Sequence, residues 1–314
     1  MHIRCYPPPS GSQLIVRLRA KSARPAPAFS WDVLSASARG ARHIKEELPN
    51  QDAVGSALSP LPADGAVIVA ADGHGSPEYV RADVGSELAC HIAVEQGVKL
   101  LEKISASPTT PIRALQGQLL SQRIHDAWLA AVRDDLALRP LTPTEWQKIP
   151  KRHKRRFVEQ PETAYGSTLL AAIVSSVGLI ALQLGDGDIV ECCGHRVRRL
   201  IEPLEGVGPR TDSLCDLGAV DKFRIHVDSF SAGAAECVMV RTDGWMNSFE
   251  NDADRERTDL ELFQWLRSAG KEAVATELPE LLAEISASGW SQGDDVSCAM
   301  LFRKEGGPDV AAAE

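Results

Sequence analysis

The chain of 314 residues has no CxxC pair among its seven cysteines, no apolar run near the ~20 residues of a membrane span, and no internal repeat of solenoid type. Each absence removes a class of protein. Without paired Cys and His spacings a structural zinc site is not expected. The odd cysteine count, with Cys192 and Cys193 adjacent and badly placed to bridge each other, suits a reducing cytoplasm. Cys237 and Cys298 lie inside apolar runs and read as small core residues, and no cysteine is read as a nucleophile. An excess of positive charge is also lacking. The formal net charge is -9, so general nucleic-acid affinity is not expected. One basic run, "KRHKRR" at 151–156, stands against that background and reads as a solvated loop. The first residues, "MHIRCYPPPSGSQLIVRLRAKSARPAPA", lack the continuous apolar stretch of a signal peptide.

What remains is an ordinary globular composition, 44% hydrophobic and 25% charged, long enough to bury a sizeable core. Residues 1–28 read as a flexible extension, 29–303 as one domain and 304–314 as a flexible tail. Within the domain, "SWDVLSASARGARH" is compatible with a first strand and "VIVAA" at 67–71 with a buried one. Helical spacing of apolar residues predicts helices within 78–105 and 112–138; in the second, Leu115, Leu119, Leu120, Ile124, Trp128 and Val132 carry the pattern. A proline-rich, basic connector covers about 139–162. Six short strands follow, from "STLLAAIVSS" to "ECVMVRTD", then two helices in 258–270 and 271–288, and a closing strand at 296–302. Runs of consecutive strands between paired blocks of helices argue for an α+β protein of packed, mainly antiparallel sheets flanked by helices, against βαβ alternation.

Several of these strands stop at carboxylates. "VIVAADG" ends at Asp72, "LIALQLGDGD" at Asp186 and Asp188, and "CVMVRTDG" at Asp243. The last strand is entered through Asp294 and Asp295, and Asp52 precedes the strand at 67–71. A single Asp-Gly is turn chemistry. Repeated at strand end after strand end, it gathers like charges that repel unless a cation intervenes. Hard oxygen donors suit Mg²⁺ or Mn²⁺, and two such ions can activate a water for attack on a phosphoryl group. Gly73 would let its carbonyl approach an ion, and His74 could protonate a leaving alkoxide.

In order, "PNQDA", "ADGHG", "YGSTL", "LGDGD", "RTDGW" and "GDDVS" resemble the motifs of the type 2C metal-dependent protein serine/threonine phosphatases, the PPM family, in a divergent bacterial branch. The resemblance spans about residues 30–303. It implies a four-layer α-β-β-α sandwich and a dimetal centre of Mn²⁺ or Mg²⁺, with a third, weaker site. Asp72 would bridge the metals, with Gly73, Asp243 and Asp294 completing the core and Asp186 serving the third site. His74 would be the general acid, and Asp52 would hold water beside the metals. Gly166, Ser167 and Thr168 match a structural segment. The implied substrate is a phosphoserine or phosphothreonine protein, with a serine/threonine kinase or its target as partner, and neither nucleic acid nor membrane.

The departures are specific. Where the family has a metal-binding Glu this chain has Gln51, and where it has a phosphate-gripping Arg this chain has Glu47. Arg42, His43 and Lys45 are the candidates to contact phosphate instead. Asp295 stands where Asn is usual and would add negative charge. The stretch between "GDGD" and "RTDG", about 189–236, lacks a long helical insert and is read as shaping substrate choice. Gln51 and the missing Arg also suit a second reading, a regulatory binding module that keeps the fold without turnover.

Overall fold

The computed structural model describes residues 30–59, 65–106, 112–175, 177–202, 211–228 and 235–304. The N-terminal extension and most of the tail expected from sequence, with part of the 189–236 stretch, lie outside these residues. In chain order the elements are β1 (Trp31–Ala38), α1 (Ala41–Lys45), β2 (Asp52–Leu58), β3 (Ala66–Asp72), α2 (Ala82–Ser105), α3 (Ala114–Leu138), α4 (Pro143–Lys148) and α5 (Lys154–Glu159). They continue with β4 (Leu169–Ser175), β5 (Gly178–Leu184), β6 (Asp188–Cys193), β7 (Arg196–Arg199), β8 (Arg224–Asp228) and β9 (Cys237–Arg241). The last are α6 (Asp243–Met246), α7 (Asp252–Ala269), α8 (Lys271–Ser286) and β10 (Val296–Arg303).

The strands form two antiparallel five-stranded sheets, ordered β1-β10-β9-β6-β7 and β2-β3-β4-β5-β8. Why β3 and β4 read as continuous apolar runs follows from period-2 geometry. Val67, Val69, Ala71, Leu169, Ala171 and Ile173 pack with α2 and α3, while Ala66, Ile68, Ala70, Leu170, Ala172 and Val174 pack against the other sheet. The second sheet repeats the device. Val238, Val240, Ala299 and Leu301 face the inter-sheet core; Cys237, Met239, Cys298 and Met300 face α7 and α8. Three apolar layers thus separate four layers of structure, the α-β-β-α sandwich expected. Each fully buried Leu, Ile or Val contributes about 1.5–3 kcal/mol.

Four local readings change. Residues 41–45 are a short helix, not a continuation of the first strand. Strand β2 had no sequence signal, because "DAVGSAL" is an edge strand of mostly half-buried small residues. The 139–162 connector holds α4 and α5, with a 3-10 turn following at 161–165. On α3 the buried stripe is Leu120, Ile124, Trp128 and Val132, and Leu115 and Leu119 point to solvent. Among the described residues no helix is long and apolar enough to cross a membrane.

Candidate metal centre

Strand parity carries the inter-sheet face of β3 from Ile68 through Ala70 to Asp72, so the apolar layer ends in a carboxylate. Asp52 lies directly opposite in the antiparallel register of β2 and β3. Like charges so paired destabilise a sheet. From the other sheet, Thr242 follows Val240 on the same side, and its hydroxyl donates to Asp52 Oδ2 (2.7 Å) while accepting from Ser297 N (3.0 Å). Asp243 begins α6 one residue later, so the strand itself ends at Arg241. Asp186 reaches the same place through the turn after β5, where Gly185 (φ 91°) and Gly187 (φ 85°) adopt the left-handed backbone that only glycine enters cheaply. Carboxylate oxygens of Asp72, Asp186 and Asp243 all lie within 4.8 Å of one another. The expected meeting of strand ends therefore occurs across two sheets, at one end of the layer between them.

Electrostatics follow from the crowding. Burial, then Asp243, Asp52 and Asp186, push Asp72 well above the usual carboxylate range. Burial and the neighbouring Asp186 and Asp294 raise Asp243 to about 7. Asp52 is raised well above its usual value by burial and by Asp295, against the hydroxyl of Thr242. The backbone around Asp72 is tightly fixed: its N–H donates to Thr168 Oγ1 (2.9 Å), and its carbonyl accepts from Thr168 N (2.8 Å). The glycine at 73 also has a packing reason. A Cβ there would lie 2.6 Å from the Ala82 carbonyl oxygen and 2.7 Å from that of Gln51.

The two aspartate doublets each divide. Asp188, unlike Asp186, points to the opposite side of its sheet, where it accepts from Arg241 Nε (3.0 Å) and Nη2 (2.6 Å), with Asp259 on the same guanidinium. It belongs to a buried ion-pair network and not to the cluster. Asp295 is likewise turned away from the cluster, accepting from Gly40 N (2.6 Å), Gln51 N (2.6 Å) and His43 Nδ1 (2.8 Å). Its partner Asp294 stays at the rim, 39% exposed, with Arg42 Nη2 3.3 Å from Oδ1.

Among the phosphate candidates, His43 is buried and held by Asp295, whose hydrogen bond raises its pKa. Its Nδ1 is thereby engaged, while Nε2 lies 3.7 Å from Asp294 Oδ1. Arg42 is half exposed beside Asp294 and Gly75, and Lys45 is exposed at the end of α1. Glu47, where the family Arg is expected, is exposed with φ 56°. The His74 ring packs edge-on against Tyr79, with ring centroids 4.8 Å apart. Burial lowers its pKa, opposed by Asp186, Asp216 and Glu78. Sequence reasoning missed Thr242 and Thr211, whose hydroxyl donates to Asp186 Oδ2 (2.6 Å); Thr242 sits inside the "RTDGW" motif without a signal of its own, and Thr211 lies in no motif.

The donor set fits a hard divalent cation. It is built from carboxylates, and two buried oxygens beside it, Asp186 Oδ1 and Gln51 Oε1, have no hydrogen-bond partner. Among the described residues the cysteines offer no rival chemistry. Cys192 and Cys193 do stand six residues before Arg198 and Arg199, a spacing found where a cysteine attacks phosphate. Here they lie on a β-hairpin paired with Val197 and Arg196, and burial pushes the Cys192 thiol up to about 12.

A family model described as Protein phosphatase 2C matches residues 39–283. The chain belongs to that family. Among solved structures it is similar to the serine/threonine phosphatase Stp1 from Staphylococcus aureus, with 13% identity, 88% of this chain and 95% of that one covered, and a TM-score of 0.53. A bacterial serine phosphatase aligns with 13% identity, 88% and 98% coverage and a TM-score of 0.53. The catalytic domain of the serine threonine protein phosphatase PstP, solved with two manganese ions, aligns with 15% identity, 88% and 100% coverage and a TM-score of 0.50. These likenesses establish the fold. None of the curated proteins compared matches the chain in sequence.

Proposed function

We propose that this chain is a Mn²⁺- or Mg²⁺-dependent phosphomonoester hydrolase that removes phosphate from phosphoserine or phosphothreonine in proteins. The observation that carries the reading is the convergence of Asp72, Asp186 and Asp243 within 4.8 Å, in a chain of the Protein phosphatase 2C family. Asp72 and Asp243 would hold two cations, with the Gly73 carbonyl and Asp294 at the rim and Asp186 toward a third, weaker site. When bound, the cations supply an activated water and neutralise charge developing on the phosphoryl oxygens.

The protein groups then divide the work. Asp52, buried and fixed by Thr242, faces Asp72 and is a stronger base than an ordinary carboxylate, so it can take a proton at Oδ1 or Oδ2 from water held there. His74 supplies a proton to the departing alkoxide. Its lowered pKa makes the imidazolium a stronger acid but a scarcer one, so turnover by this route falls as pH rises through that value. Arg42 supplies the guanidinium for the phosphate oxygens, the role left open at Glu47.

The test is p-nitrophenyl phosphate hydrolysis with Mn²⁺, Mg²⁺ or EDTA, beside Asp72→Asn and Asp243→Asn. Metal-dependent turnover lost in both folded variants is the expected result. Gln51 favours a second reading, a binding module without turnover, because a neutral amide is a weaker ligand than a carboxylate. A folded protein inert with every metal, and made active by Gln51→Glu, would decide for that reading.

A further inference from the structure

The segment 151–156, "KRHKRR", has no place in the chemistry above, yet it is anchored beside it. Arg152 Nε donates to His153 Nε2 (2.7 Å), and His153 Nδ1 lies 3.1 Å from Glu78 Oε1. Glu78 adjoins Tyr79, whose ring packs on His74. Farther along the segment, Arg156 Nη2 lies 3.6 Å from Asp216, one of the carboxylates that act on His74. The basic segment therefore borders the loop that carries His74.

Its charge is only partly cancelled locally. His153 and Arg156 take up Glu78 and Asp216, and the other nearby carboxylates are engaged outside the segment, Glu145 by Arg81 and Glu162 by Arg133, so the charge left over is that of Lys151, Arg152, Lys154 and Arg155. Among the described residues no carboxylate lies within ion-pair distance of Lys151, Arg152 or Lys154. Arg155 meets Glu159 in a solvent-exposed i,i+4 pair worth little. A protein of net charge -9 has carboxylates to spare, so a ledge with four cations lacking a buried partner, beside an acidic cluster, is a local departure from the surrounding field.

We infer that this ledge is a docking surface for acidic residues flanking the phosphorylated residue of a protein substrate. The inference rests on the phosphatase reading for what enters the metal centre; its own content is the sequence preference around the phosphoresidue. A ledge of fixed cations attracts an acidic peptide, raises its encounter rate and sets its orientation, and salt weakens all three effects. Nucleic acid is the poorer fit. The run is short, and the neighbouring Trp146 ring packs against the core and carries Lys154 Nζ 5.4 Å from its centroid, so it is already engaged within the protein.

The experiment uses the full chain and two phosphoserine peptides that differ only in glutamate or glutamine on both flanks. The variants are Lys151→Glu/Arg152→Glu/Arg155→Glu and the charge-keeping Lys151→Arg/Arg152→Lys/Arg155→Lys. In the wild type kcat/KM for the glutamate peptide should exceed that for the glutamine peptide by about ten-fold at low salt. The preference should vanish in the charge-reversed variant and at high salt, and persist in the charge-keeping one. Hydrolysis of p-nitrophenyl phosphate should be unchanged in both. Equal rates on the two peptides in the wild type, or a preference that survives charge reversal, would overturn the proposal. Fluorescence anisotropy of the same peptides gives an independent readout. If the wild type turns over nothing, a glutamate preference in binding that charge reversal removes supports the ledge while the hydrolase reading falls; no such preference sinks both. A single-stranded oligonucleotide bound more tightly than the glutamate peptide would reassign the surface to nucleic acid.

Discussion

Replacing Asp243 by Asn should make the metal-free protein more stable while removing its activity. Asp243 lies in the carboxylate cluster with Asp72 and Asp186, and burial, then the charges of Asp186 and Asp294, raise it from 3.8 to about 7. A carboxyl whose folded pKa is raised favours folding at low pH, and that contribution is lost as pH rises through the folded value. At a pH above both values the cost for this one group is about 4 kcal/mol. Partial exposure of the side chain and relaxation of the cluster reduce the measurable part to about 2 kcal/mol. The assay is urea unfolding in EDTA and in Mn²⁺, at about pH 5 and about pH 8. In EDTA the Asn variant should gain most at the higher pH and little at the lower. In Mn²⁺ the order should reverse, because cation binding stabilises the wild type by mass action and the variant has lost a ligand. A variant no more stable than wild type in EDTA at high pH would refute the claim that these carboxylates repel one another in the folded state.

Other perturbations test separate parts of the site. Thr242→Val should cost about 1–3 kcal/mol in chemical denaturation, since Asp52 and Ser297 N each lose a buried partner, whereas Thr242→Ser should recover most of it. Gly166→Ala puts a Cβ 2.3 Å from the Tyr79 ring and 2.9 Å from His74 Cδ2, so kcat should fall at least roughly ten-fold through displacement of His74, with metal affinity by titration unchanged. Arg42→Ala should raise KM for p-nitrophenyl phosphate more than it lowers kcat, without loss of thermal stability. Glu145, bound by Arg81, has its pKa lowered to about 2, so its contribution is present above 4.5 and lost as pH falls toward 2. Glu145→Gln should therefore be less stable than wild type near neutrality by about 1–3 kcal/mol, and the difference should close on acidification.

The layers of the fold were legible because β3, β4, β9 and β10 are buried on both faces and read as unbroken apolar runs, while α2 and α3 carry helical periodicity. Strand β2 was not, since an edge strand of half-buried small residues has little apolar signal of its own. Helix α1 was hidden because five residues hold no period; contacts outside the helix fix it, from Gly40 N to Asp295 and from Arg42 N to Gly293 O. Similarly, α4 and α5 are ordered by long-range ties such as Arg81 to Glu145, invisible in a stretch that reads as proline and charge. The aspartates of the cluster were legible as strand terminators. What no local pattern supplies is which of two neighbouring carboxylates enters the site.

That choice turns on which neighbours each backbone position meets. Asp186 and Asp188 are two apart, and in one continuous strand they would share a face. The left-handed turns at Gly185 and Gly187 break that continuity, so Asp188 starts a new strand opposite Arg241 and faces α7, while Asp186 stays in the turn beside Asp72. Asp294 and Asp295 are adjacent: Asp295 is drawn inward by two backbone N–H groups and His43, and Asp294 is left at the rim. In each doublet one member meets a cation or N–H donors in the interior and is spent on the fold. The other is less committed, Asp186 holding only the Thr211 hydroxyl on Oδ2 and Asp294 standing at the rim beside Arg42 and His43 Nε2 (3.7 Å), and that is the physical reason it stays available to a metal ion.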